Sequence, residues 1–79
     1  MRLDKYLKVS RLIKRRTIAN GACDSQRVSV NGKVARASYD VKVGDEIEIR
    51  FGQRTTRVQV LRIEAHIGRE ESSAMYREI

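Results

Sequence analysis

Three consecutive cations, Lys14, Arg15 and Arg16, stand where a helical pattern resumes after a short link. A helix start carries unpaired backbone N–H groups and a partial positive charge, so each cation placed there is disfavoured by about 0.3–1 kcal/mol. A sequence selected for stability alone puts acids in that turn. Cations together with free N–H groups make a phosphate site, and this local conflict is the first pointer to function. The competing reading is a solvated basic run that holds no ligand.

Charge is distributed unevenly along the chain. Residues 1–35 contain nine Lys/Arg (Arg2, Lys5, Lys8, Arg11, Lys14, Arg15, Arg16, Arg27, Lys33) against two acids, Asp4 and Asp24, whereas residues 36–79 contain eight of each sign. The formal net charge of +7 therefore lies in the first half. Because that half also has helical periodicity, it reads as an ordered basic surface for a polyanion, either nucleic acid or an anionic membrane face.

The elements that position these cations follow from periodicity. Leu3, Tyr6, Leu7 and Ser10 form an i, i+3, i+4, i+7 face and predict a first helix, with Arg2, Lys5 and Lys8 around its polar side. Asp4 suits the first turn and can pair with Lys8 at i+4. A tight link near 10–14 precedes a second helix from about Arg15 to Ser25, expected to bury Ile18, Ala19, Ala22 and Cys23. Gly21 within it costs roughly 1 kcal/mol relative to Ala.

Beyond the helices the pattern shortens to strands. Val28 and Val30 alternate up to Asn31-Gly32, a pair suited to a two-residue type I′ turn, and predict a hairpin over 28–34. Residues 35–43 read as irregular, with Tyr39 either capping the core or offering a stacking platform. After a Gly44-Asp45 turn, Ile47, Ile49 and Phe51 face inward and Glu46, Glu48 and Arg50 outward. A last strand over 57–63 changes phase between Val60 and Leu61, which marks a bulge or the strand's end. Arg50, Arg54 and Arg57 alternate with glutamates and hydroxyl residues on what reads as a charge-balanced face. The tail, 64–79, is either a short helix anchored by Ala74 and Met75 or a frayed end, and His66 receives no site role.

A chain of 79 residues supports one small domain with a thin core and little room for a deep catalytic pocket. No Ser/His/Asp set, carboxylate pair or Gly-rich phosphate loop is visible, so a binding module is expected, not an enzyme. No apolar run approaches the ~20 residues that span a bilayer, and no membrane partner is expected. The basic start lacks an apolar secretory segment, so the cytoplasm is the expected location. One Cys, Cys23, and one His exclude an internal disulfide and a Cys/His zinc cage; no cofactor or metal is expected.

Arg2-Leu-Asp-Lys-Tyr-Leu, Arg16 with Ala19, Val28 with Val30-Asn31-Gly32, and Val43-Gly-Asp-Glu-Ile47, in this order, resemble the RNA-binding domain first described in ribosomal protein S-four. That resemblance implies an α+β fold, the alpha-L motif: two N-terminal helices on a small antiparallel sheet, with RNA on the helical face. The resemblance covers about residues 1–51; the RNA-binding domain is expected at 1–63, with the basic helical face given by the charge count at 1–35 and the tail at 64–79. The run Lys8 to Thr17, Arg50-Phe-Gly-Gln53 and Glu70 to Tyr76 are similar to the stand-alone RqcP (YabO) family of bacterial ribosome quality control, related to the fifteen-kilodalton heat-shock protein family. This narrower resemblance implies binding to the large ribosomal subunit blocked by peptidyl-tRNA. It further implies contact with rRNA and tRNA, and support for C-terminal alanine tailing by an RqcH-type partner. Carried over by position, the RNA contacts are Arg2, Arg11, Lys14, Arg15 and Arg16, with Lys8 and Thr17 completing the set; a monomer is expected.

Two positions depart from the broader family. Arg15 stands where Ser or Thr often caps the second helix, and Gln26 stands where Gly often takes a left-handed conformation at its end. Three other readings stay open: a heat-shock-type rescue factor binding rRNA or tRNA generally, a non-specific polyanion binder, and a fragment of an RNA-modifying enzyme such as a pseudouridine synthase.

Overall fold

The computed structural model describes residues 1–79 and builds two helices and one five-stranded antiparallel sheet. Helix α1 spans Leu3–Val9 and helix α2 spans Arg16–Asp24. The strands are β1 (Val28–Val30), β2 (Lys33–Val34), β3 (Glu46–Phe51), β4 (Arg54–Val60) and β5 (Tyr76–Glu78), in spatial order β2-β1-β3-β4-β5. The α+β architecture that the resemblance implies is therefore the observed one.

The α1 face is buried as its spacing requires: Leu3, Tyr6, Leu7 and Ser10 are all essentially inaccessible. They pack in one core with Val28 and Val30 of β1, Ile47 and Ile49 of β3, and Val58 and Val60 of β4. Each such aliphatic or aromatic side chain contributes roughly 1.5–3 kcal/mol on burial. On α2 the small residues Ala19, Ala22 and Cys23 form the inward stripe, and small side chains let α2 lie close to the core. Ile18 departs from the expected stripe and is 54% exposed. At 3.6 residues per turn it points about 90° away from the centre of the Ala19–Cys23 stripe, so packing that stripe turns Ile18 outward.

Both helices end in a left-handed residue that is not glycine. Gln26 has φ 62°, and its N–H and that of Arg27 donate to the carbonyls of Cys23 and Ala22, closing a Schellman motif. Arg11 has φ 65° and its N–H donates to Lys8. The Asn31-Gly32 turn has positive φ at both residues, as a type I′ turn demands.

Residues 35–43 are irregular but send Ala35, Ala37 and Val41 into the core. Tyr39 packs against the core and donates its hydroxyl to Asp45 Oδ2 at 2.9 Å, so it serves the core rather than standing free as a platform. Strand β4 stops at Val60, where the phase changes, and begins at Arg54, earlier than its pattern predicts. The tail does contain a short helix, a 3₁₀ turn and not an α-helix, with Met75 as its buried anchor and Ala74 exposed. Ser72–Met75 make one 3₁₀ turn, and β5 then pairs with β4. Met75 is buried and its carbonyl accepts the Tyr6 hydroxyl at 2.8 Å, tying the tail to α1. Sequence pattern misses β5 because Tyr76-Arg77-Glu78 shows no apolar alternation, unlike Val28-Ser29-Val30 of β1.

Candidate nucleic-acid interface

Asp4, in the first turn of α1, is only 2% exposed, yet it faces four donors. Arg2 Nε donates to its Oδ1 at 3.1 Å, Asn20 Nδ2 to its Oδ2 at 3.2 Å, and the Lys5 backbone N–H to Oδ1 at 2.8 Å. Arg16, from the first turn of α2, reaches the same Oδ1 at 3.5 Å. Burial alone would raise this carboxyl, but the bonds from Arg2 and Asn20, the Arg16 charge and the Lys5 N–H outweigh it and hold it below the usual carboxylate range. The i+4 pair with Lys8 that spacing allows is not formed. Asp4 instead turns inward between the two helices and fixes two arginines whose side chains remain about half exposed.

The start of α2 is built as the cation run requires. Arg15 is the N-cap residue, extended at φ −117°, ψ 132°, and provides no capping bond from its side chain. The N–H groups of Arg16, Thr17 and Ile18 consequently meet no protein acceptor. Asp4, Arg16, Thr17 and Asn20 line one shallow groove between the helices. Lys14, Arg15, Arg16 and Thr17 are all exposed beside those N–H groups.

A second depression lies on the other side of the interhelical link. Lys8, Arg11 and Lys14 line it, facing Ala65, His66 and Ile67 across a cleft of about 180 Å³. None of these three cations has an ion-pair partner, and the lining contains no acid. Of the seven predicted contacts, Arg16 and Thr17 line the Asp4 groove, Arg2 bonds Asp4 beside it, and Lys8, Arg11 and Lys14 line the cleft. Arg15 stands at the N-cap and lines neither. Asn20 and His66 also line these depressions: Asn20 stands i+4 from Arg16, a spacing readable in the sequence, whereas no local pattern places His66 beside Lys14.

Chemically, this surface presents positive charge and unpaired hydrogen-bond donors, an arrangement suited to anionic oxygens. Fixed arginines set on a rigid helix pair give phosphate contacts direction as well as charge.

Comparison with known proteins bears directly on this surface. Residues 1–47 match the S4 domain. The chain is 55% identical over 76 residues to the RQC P-site tRNA stabilizing factor of Bacillus subtilis, covering 96% of this chain and 88% of that protein. It is 53% identical over 76 residues to the RQC P-site tRNA stabilizing factor of Halalkalibacterium halodurans, covering 96% and 86%. The trimeric structure of Vibrio cholerae Heat Shock Protein 15 superposes with a TM-score of 0.92 at 31% identity, covering 100% of this chain and 81% of that one.

Proposed function

The chain belongs to the S4 domain family, and we propose that it is a non-enzymatic RNA-binding factor of ribosome quality control. It binds the large ribosomal subunit obstructed by peptidyl-tRNA, touches rRNA and the tRNA, and supports alanine tailing of the stalled chain by an RqcH-type partner. Arg2, Lys8, Arg11, Lys14, Arg15, Arg16 and Thr17 hold phosphates, and the protein acts as a monomer in the cytoplasm. The observation that carries this reading is the start of α2, where three N–H groups without protein acceptors lie beside Lys14, Arg15 and Arg16. The relatives from Bacillus subtilis and Halalkalibacterium halodurans, both P-site tRNA stabilizing factors, support it over nearly the whole chain.

A sucrose gradient of the tagged protein tests the reading, with co-migration with large subunits carrying peptidyl-tRNA as the expected result. Migration at the top of the gradient contradicts it. Binding to heparin as tight as to structured RNA at matched salt favours the polyanion reading instead. Light scattering of the free protein tests the monomer.

A further inference from the structure

Helix α1 satisfies at its start the N–H groups that α2 leaves open. The Leu3 N–H donates to the Tyr39 carbonyl at 2.8 Å and the Asp4 N–H to the Ala37 carbonyl at 3.1 Å, so the irregular run after β2 is laced to the first turn of α1. The other end of that run is held to β1, where the Ala35 N–H donates to the Val28 carbonyl at 3.1 Å. Ala35 and Ala37 are both buried, and Arg36 between them is exposed. A cation is thus carried on backbone fixed at both flanks, and it has no ion-pair partner.

This lacing sets Arg36 on a groove of about 590 Å³ between α2 and the run 34–38. Helix α2 supplies Asn20 and Asp24 to the groove, the run supplies Arg36 and Ser38, and the start of α1 supplies Arg2. Asn20 also lines the Asp4 groove, so the two depressions meet at this residue. Arg16, Asn20 and Asp24 recur at i+4 and share one face of α2, which makes the second groove a continuation of the first along the helix. Arg2, bonded to Asp4 and about half exposed, stands where they join.

We propose that RNA lying along the Asp4 groove continues into this second groove, where Arg36 holds a further phosphate. Asp24 is the one acid in the lining; it is exposed, forms no ion pair and opposes an anion there. An acidic protein segment would also be drawn to Arg36, but continuity with the Asp4 groove through Asn20 and Arg2 favours one strand of the same polyanion. The proposal rests on the helical face binding RNA and adds to it a residue from outside both helices.

Co-sedimentation with large subunits carrying peptidyl-tRNA, across a salt series, tests it on the full chain. Arg36→Gln should weaken binding about tenfold and reduce the salt slope by roughly 0.7–0.9, for one lost phosphate, whereas Arg36→Lys should keep the slope. Arg77→Gln removes the same charge from β5, at the sheet edge opposite β2, and should bind nearly as the parent does. Asp24→Asn should tighten binding about twofold by removing the opposing charge. Arg36→Gln should melt as the parent does. A photocrosslinker, p-benzoylphenylalanine in place of Ser38, should yield an adduct that ribonuclease digests.

Arg36→Gln binding no more weakly than Arg77→Gln, Asp24→Asn binding no more tightly than the parent, or a crosslink to protein would each overturn the proposal. Arg16→Gln separates this failure from that of the helical reading. If Arg16→Gln loses binding while Arg36→Gln does not, the extension alone falls; if neither loses it, both fall.

Discussion

Arg16 and Asp4 meet at 3.5 Å across the two helices, joining the cation expected to touch RNA to a carboxylate that is nearly inaccessible. This contact changes what removal of Arg16 should do. Dipole repulsion at the helix start favours loss of the cation, whereas the lost ion pair opposes it, and each effect is at most about 1 kcal/mol at this exposure. Arg16→Ala should therefore leave stability within about 1 kcal/mol of the parent while weakening RNA binding. Arg15→Ala, with no acid partner to lose, should melt at the same or a higher temperature. Thermal melts of both, paired with RNA affinity, check this; a large loss of stability in Arg15→Ala would contradict it.

Asp4→Asn should cost about 1–3 kcal/mol, since a buried acceptor of charged hydrogen bonds is replaced by a group that cannot satisfy the same donors. It should also weaken RNA binding indirectly, through Arg2 and Arg16 losing their fixed positions. The pH dependence has a definite sign. Asp4 and Asp45 both titrate below their ordinary value in the fold, so their stabilisation is present above the unfolded-state pKa, near 3.9, and is lost as pH falls through the folded value. Stability measured by denaturant titration should decline below about pH 4, and less steeply in Asp4→Asn; identical slopes would remove Asp4 from the account.

Gln26→Gly and Arg11→Gly should each stabilise the domain by about 1 kcal/mol, because both positions are left-handed and glycine takes that conformation without a Cβ penalty. Their effects on RNA should diverge. Gln26→Gly should bind as the parent does, whereas Arg11→Gly should bind more weakly, which would identify Arg11 as a residue kept at a strained position for its charge. Equal RNA affinity of the two variants would show that Arg11 is a helix-ending residue only.

Much of the fold is written in local patterns, and the exceptions have physical causes. The α1 face, the Asn31-Gly32 turn and the end of β4 at Val60 follow from spacing and turn chemistry over a few residues. The left-handed Gln26 is likewise legible from the glycine that often stands there. Periodicity in α2 places Ile18 inward and alternation in β3 places Phe51 inward, yet both are exposed: the small-residue stripe turns Ile18 out, and Phe51 stands at the strand's last position, outside the core. At the site, the position of Lys14, Arg15 and Arg16 at a helix start is readable. The Asp4 hub is not, because Asn20 and Arg16 come to it from another helix. His66 lies 52 residues from Lys14 in the chain, and only the closed fold places the two at one cleft.

Salt should govern binding by the helical face. Each neutralised phosphate gives a slope of roughly −0.7 to −0.9 in log affinity against log salt. With about four phosphates held, affinity should fall roughly a hundredfold or more for each fivefold rise in salt. Filter binding across a salt series measures this, and a flat dependence would remove the electrostatic account.

The most direct test compares two triple charge reversals for binding to large subunits carrying peptidyl-tRNA, at one fixed salt concentration. Arg11, Lys14 and Arg16 changed to Glu alter the proposed face, while Lys33, Lys42 and Arg77 changed to Glu alter exposed cations outside both proposed contacts. Both variants shift formal charge equally, so long-range attraction suffers alike and a difference reports local contact. The account predicts that co-sedimentation is abolished in the first variant and only modestly reduced in the second. Equal losses would contradict it, since the basic half would then act only as a reservoir of charge.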